Sequence, residues 1–315
     1  MASINPANEH TRQRALDSLH LVGSLPEQEY QDIVQVAAAV CGAPIALISR
    51  IDRNRQWFKA KVGLEALQTD RSAAVCDHAI RRPGEMFEVA DLKQDDRFAA
   101  NDLLDGLGAR FYAGMPLVTD EGMAIGTVCV LDTAPRTLNA EQRRALESLS
   151  RITISLIESR SRARVQEVAS ILEHTPVVTQ PDAKSPGKTA CRVVVLEVVD
   201  LDAAAARLGE RALFRHLTQL DAEFEACIDM GRGDTINRVT DSGEFIAVLA
   251  VNEDQDVLAG LRSVARSASA RIGINLRIGE AGNVQGEPIR KVFLRAEEDL
   301  RGAASEHPIV PSPSS

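Results

Sequence analysis

The spacing of hydrophobic residues at the start of the chain is helical. Leucines and valines recur at helical intervals in TRQRALDSLHLVGSL (11–25), which predicts an amphipathic helix. Ser24 and Glu27 form a capping-box arrangement with Pro26 in the first turn, so we expect a second helix to begin there and to run to Gly42. The pattern therefore predicts two helices before any strand.

After Gly42 the pattern changes to short apolar runs, which predict strands. The first two runs, 45–52 and 55–63, are separated by a turn-rich triplet and are expected to form a hairpin. A short helix is expected around residues 74–81. The strands predicted after it are FEVAD (87–91), ARFYAGMPLV (109–118) and MAIGTVCVLD (123–132).

A second capping box, Asn139 with Gln142, predicts a long helix over residues 140–174. Apolar residues recur along this helix, with a polar gap rich in arginine and serine at 158–164. The helix is longer than the packing of one domain requires. Two interpretations stay open: a solvated helix that joins two domains, and a paired signalling helix in a homodimer, which is the self-association we expect.

The second half of the chain follows TPVVTQPDAKSPGK (175–188), whose composition is typical of a linker. Strands and helices alternate beyond it, including a helix over 201–227, a hairpin at 234–250 and a strand over 270–281, which predicts a ferredoxin-like α+β sandwich. The predicted segments are an N-terminal helix (1–23), a first domain (24–139), the long helix (140–174), the linker (175–188), a second domain (189–304) and a disordered tail (305–315).

The charge balance limits the classes of partner. The 315-residue chain has a formal net charge of −9, so it repels the phosphate backbone of nucleic acid polymers. Its apolar runs are shorter than the ~18 residues that a membrane helix needs, and its first residues lack an apolar signal core. We therefore expect a cytoplasmic protein that binds no nucleic acid polymer and inserts into no membrane.

The cysteines and the aromatic residues are distributed unevenly. The five cysteines are widely spaced and form no CxxC pair, which predicts neither a disulfide framework nor a zinc site. We expect reduced, mostly buried thiols and no bound metal. Most aromatic residues lie before residue 113, which indicates that the two halves of the chain are unlike modules.

A series of ordered segments in the first half resembles a known family. The segments are PIALISRIDRNRQWFKAKVGL (44–64), CDHAI (76–80), VADLKQDDRF (89–98), RFYAGMPL (110–117) and IGTVCVLDTAPRTL (125–138). Residues 12–160 thereby resemble the GAF domain family. The resemblance implies a small antiparallel sheet with helices on one face and, on the other, a cavity that binds a small ligand in many relatives.

Nine residues lie on the segments that surround this cavity in the family. These pocket candidates are Trp57, Cys76, His78, Asp91, Arg97, Phe98, Arg110, Phe111 and Tyr112. Aromatic walls with a few convergent polar groups suit a small-molecule site. Other interpretations stay open: Trp57 and Phe111 as core residues, and His78 as a histidine satisfied by its neighbours. Asp91 also has an alternative role, in a buried salt bridge with Arg97 or Arg110.

Cys76 is either a structural thiol or a chromophore-binding or redox thiol. One branch of the family reduces free methionine sulfoxide with several loop cysteines. Here Cys76 and Cys129 are the cysteines in the later half of the domain, so we do not expect that activity. The sequence does not identify the GAF ligand.

Residues 190–304 resemble a second family, the GGDEF diguanylate cyclases, which condense two GTP into cyclic di-GMP. RVVVLEVVDLD matches the first strand of that family, and RVTDSGEFIAVLA stands at its signature hairpin. The chemistry needs two metal ions held by carboxylates. The family's first metal aspartate falls on Glu197, and the central acidic residue of the signature falls on Gly243, while Glu244 survives.

Other positions of the GGDEF pattern have changed as well. The guanine-contacting residues fall on Ala205 and Phe214, which offer no hydrogen bonds. Asp241 and Ser242 replace the glycines that let the backbone approach phosphate. In the last helix, the family's aspartate falls on Glu297. The resemblance therefore implies a degenerate domain with no catalytic residues and no metal cofactor.

Degenerate GGDEF domains often survive as receptors, because the product-binding site is separate from the catalytic one. That site is an Arg-x-x-Asp motif whose arginine falls on Arg232 and whose aspartate falls on Thr235, with Asp234 one place early. Arg238 is a candidate second phosphate contact. The alternative is a polar turn before a hairpin.

These patterns predict a non-catalytic signalling protein with a GAF sensor and an inactive GGDEF domain. It would act by binding a signalling partner protein, and cyclic di-GMP is the candidate ligand, with no other cofactor expected. Two alternatives stay open. One is a weak or GAF-regulated diguanylate cyclase, and the other is a dimeric scaffold with no small ligand in either domain.

Overall fold

The computed structural model describes residues 6–19, 27–175, 191–199, 201–250, 255–284 and 287–306. The predicted cap at Ser24 and Pro26, nearly all of the predicted linker and the tail after residue 306 lie outside these ranges. The chain divides into two compact units, with the boundary between Ser161 and Arg162. No helix within the described ranges is long and apolar enough to span a membrane.

The first unit is built on one six-stranded antiparallel sheet in the order β3-β2-β1-β6-β5-β4. Its strands are β1 (Ile45–Ile51), β2 (Arg55–Val62), β3 (Gln68–Asp70), β4 (Phe87–Val89), β5 (Phe111–Val118) and β6 (Ala124–Asp132). Its helices are α1 (Pro6–Ser18), α2 (Gln28–Cys41), α3 (Val75–Ala79), α4 (Asp102–Gly106) and the N-terminal part of α5 (Ala140–Glu173).

Both faces of this sheet are covered. One face packs against α2 and α5 through residues such as Ile48 and Val128. The opposite face packs against α3 and the segments before β5 through residues such as Leu47 and Cys129. Successive side chains of a strand point to opposite faces, so the continuous apolar pattern of β1 and β6 serves two separate layers of core.

The second unit contains a four-stranded antiparallel sheet in the order β10-β7-β9-β8. Its elements are the C-terminal part of α5, β7 (Arg192–Val198), α6 (Leu201–Leu208), α7 (Glu210–Glu225), β8 (Thr235–Arg238), β9 (Glu244–Leu249), α8 (Gln255–Ile272), β10 (Leu276–Gly282) and α9 (Ile289–Glu306). The last strand thus lies beside the first, as in a ferredoxin-like sandwich. The α+β prediction is confirmed for both units.

The structure differs from the predicted elements at identifiable breaks. The helix expected over 201–227 divides at Gly209, whose φ of +80° is left-handed and ends α6 before α7 begins. The strand expected over 270–281 begins only at Leu276, because α8 continues to Ile272 and stops before Gly273 at φ +63°. Strand β3 and helix α4 were not predicted.

Candidate functional site

A cluster of polar side chains lies within the core of the first unit, on the sheet face opposite α2 and α5. The Cys76 and Cys129 sulfurs are 3.7 Å apart. The Tyr112 hydroxyl and the Gln56 side-chain amide each donate to Cys76 Sγ over 3.2 Å. These four side chains, which we call the thiol cluster, come from α3, β6, β5 and β2. Each is less than 5% exposed.

Two buried hydroxyls accompany the thiol cluster. Ser49 and Thr127 are directly opposite in the β1–β6 register, and their oxygens are 3.0 Å apart. Both side chains are fully buried. A buried hydroxyl without a partner would cost stability, so this pairing satisfies two polar groups that apolar strands would otherwise leave unpaired.

Gly114 makes the space that the Tyr112 hydroxyl occupies. A Cβ at Gly114 would lie 2.2 Å from Tyr112 Oη and 3.1 Å from Cys129 Cβ. Gly114 is opposite Cys129 in the β5–β6 register. The glycine therefore lets the phenol fold back along its own strand and reach the sulfurs.

The surroundings of Cys76 set it apart from the other thiols. Burial alone would raise the pKa of Cys76, but hydrogen bonds from Cys129, Ser49, Thr127 and Tyr112 outweigh this effect and lower the pKa to about 6. The Cys129 pKa is raised well above its usual value, mainly by its hydrogen bond to Cys76 and by burial. The two thiols therefore titrate as a coupled pair in which Cys76 is the more acidic sulfur.

The remaining pocket candidates divide among several places. His78 packs edge-on against Phe98, with ring centroids 4.8 Å apart, and the Arg97 guanidinium lies 5.1 Å from the Phe98 ring centroid. Arg97 pairs with Asp95 at 2.5 Å. Burial, followed by the charge of Arg81, lowers the pKa of His78, which favours the neutral imidazole.

Asp91 and Arg110 form a bidentate ion pair, with N–O distances of 2.9 and 2.7 Å. These hydrogen bonds lower the pKa of Asp91. The structure thus favours the salt-bridge interpretation for Asp91, with Arg110 as the partner. Trp57 is buried, and the Arg55 guanidinium lies over its ring, 4.1 Å from the ring centroid.

Phe111 and Tyr112 were both expected to line one pocket, but the structure places them on opposite faces of the sheet. Phe111 belongs to the core beneath α2 and α5, whereas Tyr112 belongs to the thiol cluster. The alternation of side chains along a strand accounts for this separation.

A polar cleft of about 410 Å³ opens beside α3. It is lined by Arg53, Asn54, Asp70, Arg71, Ser72, Ala74, Asp77, His78 and Arg81. Arg71 links Glu9 to Asp77, with N–O distances of 2.6 and 2.7 Å. Asp77 also accepts from Arg81 at 2.6 Å. Of the nine pocket candidates, His78 lines this cleft.

The acidic residues of the second unit that the GGDEF resemblance singles out are paired with arginines. Glu197 and Glu244 face each other in the β7–β9 register. Arg164 of α5 binds Glu244 through two hydrogen bonds of 2.8 and 2.6 Å and also binds Glu297 at 2.9 Å. Arg277 binds Glu197 at 2.8 Å. Burial raises the pKa of Glu197 despite the opposing effect of Arg277.

These carboxylates do not fit a metal site of the kind that the GGDEF resemblance implies. Arginine nitrogens already bind oxygens of Glu197, Glu244 and Glu297, so a divalent cation would have to displace two guanidinium groups. Within the described residues, no group of three or more potential ligands converges as a metal site requires.

The signature hairpin is a self-contained turn. Asp241 has a left-handed φ of +53°, and the Ser242 hydroxyl donates to the Val239 carbonyl at 2.8 Å. A Cβ at Gly243 would lie 2.8 Å from Val198 Cβ. The glycine at the position of the family's central acid is therefore required by close packing against β7.

The predicted cyclic di-GMP residues are brought together only in part. Arg232 binds Asp234 at 3.0 Å, but the Asp234 carboxylate is buried and also accepts from the backbone amides of Asp229 and Ala250. Arg238 instead pairs with Asp221 at 3.1 Å.

Arg238 lines a second cleft of about 270 Å³, together with Asp221, Glu225, Ile236, Asn237 and Phe245. Its guanidinium lies 5.7 Å from the ring centroid of Phe214, which is 53% exposed. Ala205, the other position at which the GGDEF resemblance implies a guanine contact, is buried in the core.

Sequence reasoning missed Gln56, Ser49, Thr127, Gly114 and the role of Cys129. A usable signal was present, because Ser49 and Thr127 lie within the largely apolar runs of β1 and β6. Their convergence with Cys76 depends on the β1–β6 register, which the sequence does not provide. Arg164 was also missed, since it lies in the polar, arginine- and serine-rich gap of the long helix, to which no contact was assigned.

Comparisons with known proteins give a family match in the first half of the chain. Residues 26–153 match the GAF domain family. A cyclic di-GMP phosphodiesterase of Pseudomonas aeruginosa is 41% identical over 156 residues, which are 49% of this chain and 26% of that protein. The chain thus spans about a quarter of the length of this curated relative.

Two solved structures show more distant likenesses. A sensor histidine kinase domain from Sinorhizobium meliloti aligns with a TM-score of 0.36 and 19% identity, covering 45% of this chain and 96% of that one. A microbial GGDEF domain described with cyclic di-GMP aligns with a TM-score of 0.38 and 18% identity, covering 44% of this chain and 86% of that one. On the family match, residues 26–153 of this chain are a GAF domain.

Proposed function

We propose that the chain is a non-catalytic protein of cyclic di-GMP signalling, in which the GAF domain is the sensor and the second unit is a degenerate GGDEF domain. The second unit would act by binding a partner protein, cyclic di-GMP, or both. The observation that carries this proposal is the pairing of Glu197, Glu244 and Glu297 with arginines.

The arginine pairs support the absence of cyclase chemistry. Two-metal catalysis needs carboxylates that are free to hold cations against the phosphates. The Arg164 side chain is 13% exposed, and its partners Glu244 and Glu297 are 11% and 8% exposed. Removing a guanidinium from such a buried pair is costly, since it leaves charge without compensation. These carboxylates therefore support the fold instead of a metal.

The support for cyclic di-GMP signalling comes from the Pseudomonas aeruginosa relative, which is a cyclic di-GMP phosphodiesterase. A candidate contact in this chain is Arg232, whose side chain is 40% exposed. A guanidinium at the surface suits bidentate recognition of phosphate or guanine. Asp234 would hold Arg232 in place and would not itself contact the ligand.

Isothermal titration of the full chain with cyclic di-GMP tests the ligand. We expect saturable binding that Arg232→Ala weakens at least tenfold, the loss expected for one charge-assisted contact of about 1.4 kcal/mol. Arg211→Ala, at an exposed arginine of α7, is the matched control and should bind as the wild type does. If Arg232→Ala binds cyclic di-GMP with the wild-type affinity, Arg232 is not part of the binding site. If the wild type does not bind cyclic di-GMP, the second unit acts through a partner protein alone.

The homodimer expected from the sequence stays part of the proposal, with a second copy as the partner of α5. Ile152 of α5 is 54% exposed, although it is a large apolar side chain. Light scattering tests this point. We expect a dimer mass for the wild type and a monomer mass for Ile152→Glu, whereas a monomeric wild type would contradict the pairing.

A further inference from the structure

The two sulfurs of the thiol cluster are close enough to react with each other. They are 3.7 Å apart, whereas the sulfurs of a disulfide bond are ~2.05 Å apart. Side-chain rotation and a small shift of α3 can close this gap. We propose that Cys76 and Cys129 are a redox modification site within the GAF domain, at which hydrogen peroxide oxidises the two thiols to a disulfide and a dithiol reductant restores them. The site stands whether or not the second unit binds cyclic di-GMP.

The hydrogen bonds around Cys76 are those that a reactive thiolate requires. Cys76 Sγ accepts from the Tyr112 hydroxyl and the Gln56 amide, and the Cys129 sulfur lies within hydrogen-bond distance of it at 3.7 Å. A sulfur that receives several donors is stabilised as the anion, which is the nucleophilic form. A buried cysteine in a purely apolar core would have the opposite environment and would be inert.

The cluster also shows a specific construction around the Tyr112 hydroxyl. Gly114 leaves the space that a methyl group would fill, at 2.2 Å from Tyr112 Oη. Five elements (α3, β1, β2, β5 and β6) contribute polar side chains to this one point in the core. Apolar side chains would pack such a point without the cost of burying polar groups. The polar set therefore indicates a chemical role for the sulfurs.

The remaining three cysteines provide the contrast. Burial raises the pKa of Cys41, Cys191 and Cys227 alike. The Cys227 thiol donates to the backbone carbonyl of Glu223 at 3.3 Å. These thiols are expected to remain reduced under conditions that oxidise Cys76.

The oxidation conserves atoms and electrons. The Cys76 thiolate attacks one oxygen of hydrogen peroxide, the O–O bond breaks, and the departing hydroxide takes a proton to become water. The Cys129 sulfur then attacks the resulting Cys76 sulfenic acid. The S–S bond forms, the S–O bond breaks, and a second water leaves with the remaining proton. The two thiols thus lose two electrons, which the peroxide accepts.

The disulfide would change the surface through α3. Cys76, Asp77 and His78 are consecutive in this short helix. Asp77 binds Arg71 and Arg81 at 2.7 and 2.6 Å, and these side chains line the polar cleft. Drawing Cys76 toward β6 would move Asp77 and thereby rearrange the charges of the cleft. Oxidation in the core would in this way alter the outer surface of the domain.

The test uses the reduced full chain and hydrogen peroxide, with the free thiols trapped by alkylation and located by peptide mapping. We expect the loss of two alkylatable thiols, a linked pair of peptides that contain Cys76 and Cys129, and full recovery with dithiothreitol. The rate should rise with pH with a midpoint near 6, since Cys76 reacts as the thiolate. Peptide mapping uses the wild-type chain, so its result does not depend on whether a variant folds.

Three variants test the assignment of roles. Cys129→Ser should stop at a sulfenic acid that dimedone labels at Cys76. Tyr112→Phe removes one donor to the thiolate and should slow oxidation about tenfold. Cys41→Ser is the matched control and should oxidise at the wild-type rate. The proposal is overturned if all thiols of the folded wild type stay alkylatable in excess peroxide, or if the linked peptides contain a different pair of cysteines.

Discussion

The Arg164 guanidinium binds the Glu244 carboxylate through two hydrogen bonds, with Nε at 2.8 Å and Nη2 at 2.6 Å from its oxygens. Arg164 lies in the C-terminal part of α5, and Glu244 begins β9, at the hairpin that resembles the GGDEF signature. The same guanidinium reaches Glu297 of α9. One arginine thus connects three elements of the second unit and compensates two buried carboxylates.

Replacing Arg164 with alanine should destabilise the second unit strongly. The change leaves Glu244 and Glu297 buried without their guanidinium, for which the expected loss in the free energy of unfolding is about 3–5 kcal/mol. Urea denaturation of the full chain measures this. Arg162→Ala, at an exposed arginine of the same helix, is the control and should change stability by less than about 0.5 kcal/mol. Equal midpoints for the two variants would contradict the role of Arg164.

Gly243→Ala should also destabilise the second unit, because the new Cβ would meet Val198 Cβ at 2.8 Å. Overpacking of this kind costs about 1–3 kcal/mol. Gly302→Ala is the control, since a Cβ at this helical glycine has open space and should stabilise α9 by up to about 1 kcal/mol. Thermal unfolding distinguishes the two. An unchanged Tm for Gly243→Ala would show that β7 can move away from the turn.

Gly114→Ala should disturb the thiol cluster by displacing the Tyr112 hydroxyl, 2.2 Å from the new Cβ. We expect a loss of about 1–3 kcal/mol in the free energy of unfolding. The double variant Gly114→Ala, Tyr112→Phe removes the clashing oxygen and should recover part of that loss, a coupling that a double-mutant cycle measures.

Two further results control and test the Gly114 prediction. Gly106→Ala, where a Cβ meets nothing within 4 Å, should leave stability nearly unchanged. Strict additivity of the Gly114 and Tyr112 changes would contradict the proposed contact.

Acid should lower the stability of the first unit, because Glu9 becomes protonated. Burial alone would raise the pKa of Glu9, but hydrogen bonds from Arg12 and Arg71 outweigh it and lower the pKa to about 2 from 4.5. The stabilisation by ionised Glu9 is therefore complete above pH 4.5, the pKa of this group in the unfolded chain, and it is lost as the pH falls from 4.5 toward 2.

Denaturation curves across this pH range measure the contribution of Glu9. Glu9→Gln should flatten the pH dependence of the first unit, whereas Glu65→Gln, at an exposed residue, should leave the wild-type slope. A wild-type slope in Glu9→Gln would assign the acid sensitivity to other carboxylates.

The order of helices and strands was largely predictable because it depends on local periodicity. The hairpin of β1 and β2, the long helix α5 and the βαββαβ-like second unit all have strong periodic signals. The breaks were harder to predict. Gly209 ends a helix through its backbone conformation, and a single glycine in a helical pattern does not specify that conformation.

The candidate sites were less predictable because they depend on contacts between distant residues. The Asp91–Arg110 pair was among the expected alternatives, since both residues lie on segments that surround the cavity in the GAF family. Arg164 and Glu244 are 80 residues apart, and a polar gap in a helix is equally typical of a solvated face. Phe111 shows the opposite case, since strict alternation with Tyr112 would have assigned it to the other face of the sheet.

The absence of cyclase activity is the central claim of the proposed function, and incubation with GTP and Mg²⁺ tests it most directly. The full chain, at high concentration and with an active diguanylate cyclase as positive control, is assayed for cyclic di-GMP by mass spectrometry. We predict no product above the no-protein background, because arginines hold the carboxylates that would otherwise bind metal. Cyclic di-GMP that accumulates in proportion to the amount of protein would contradict the account.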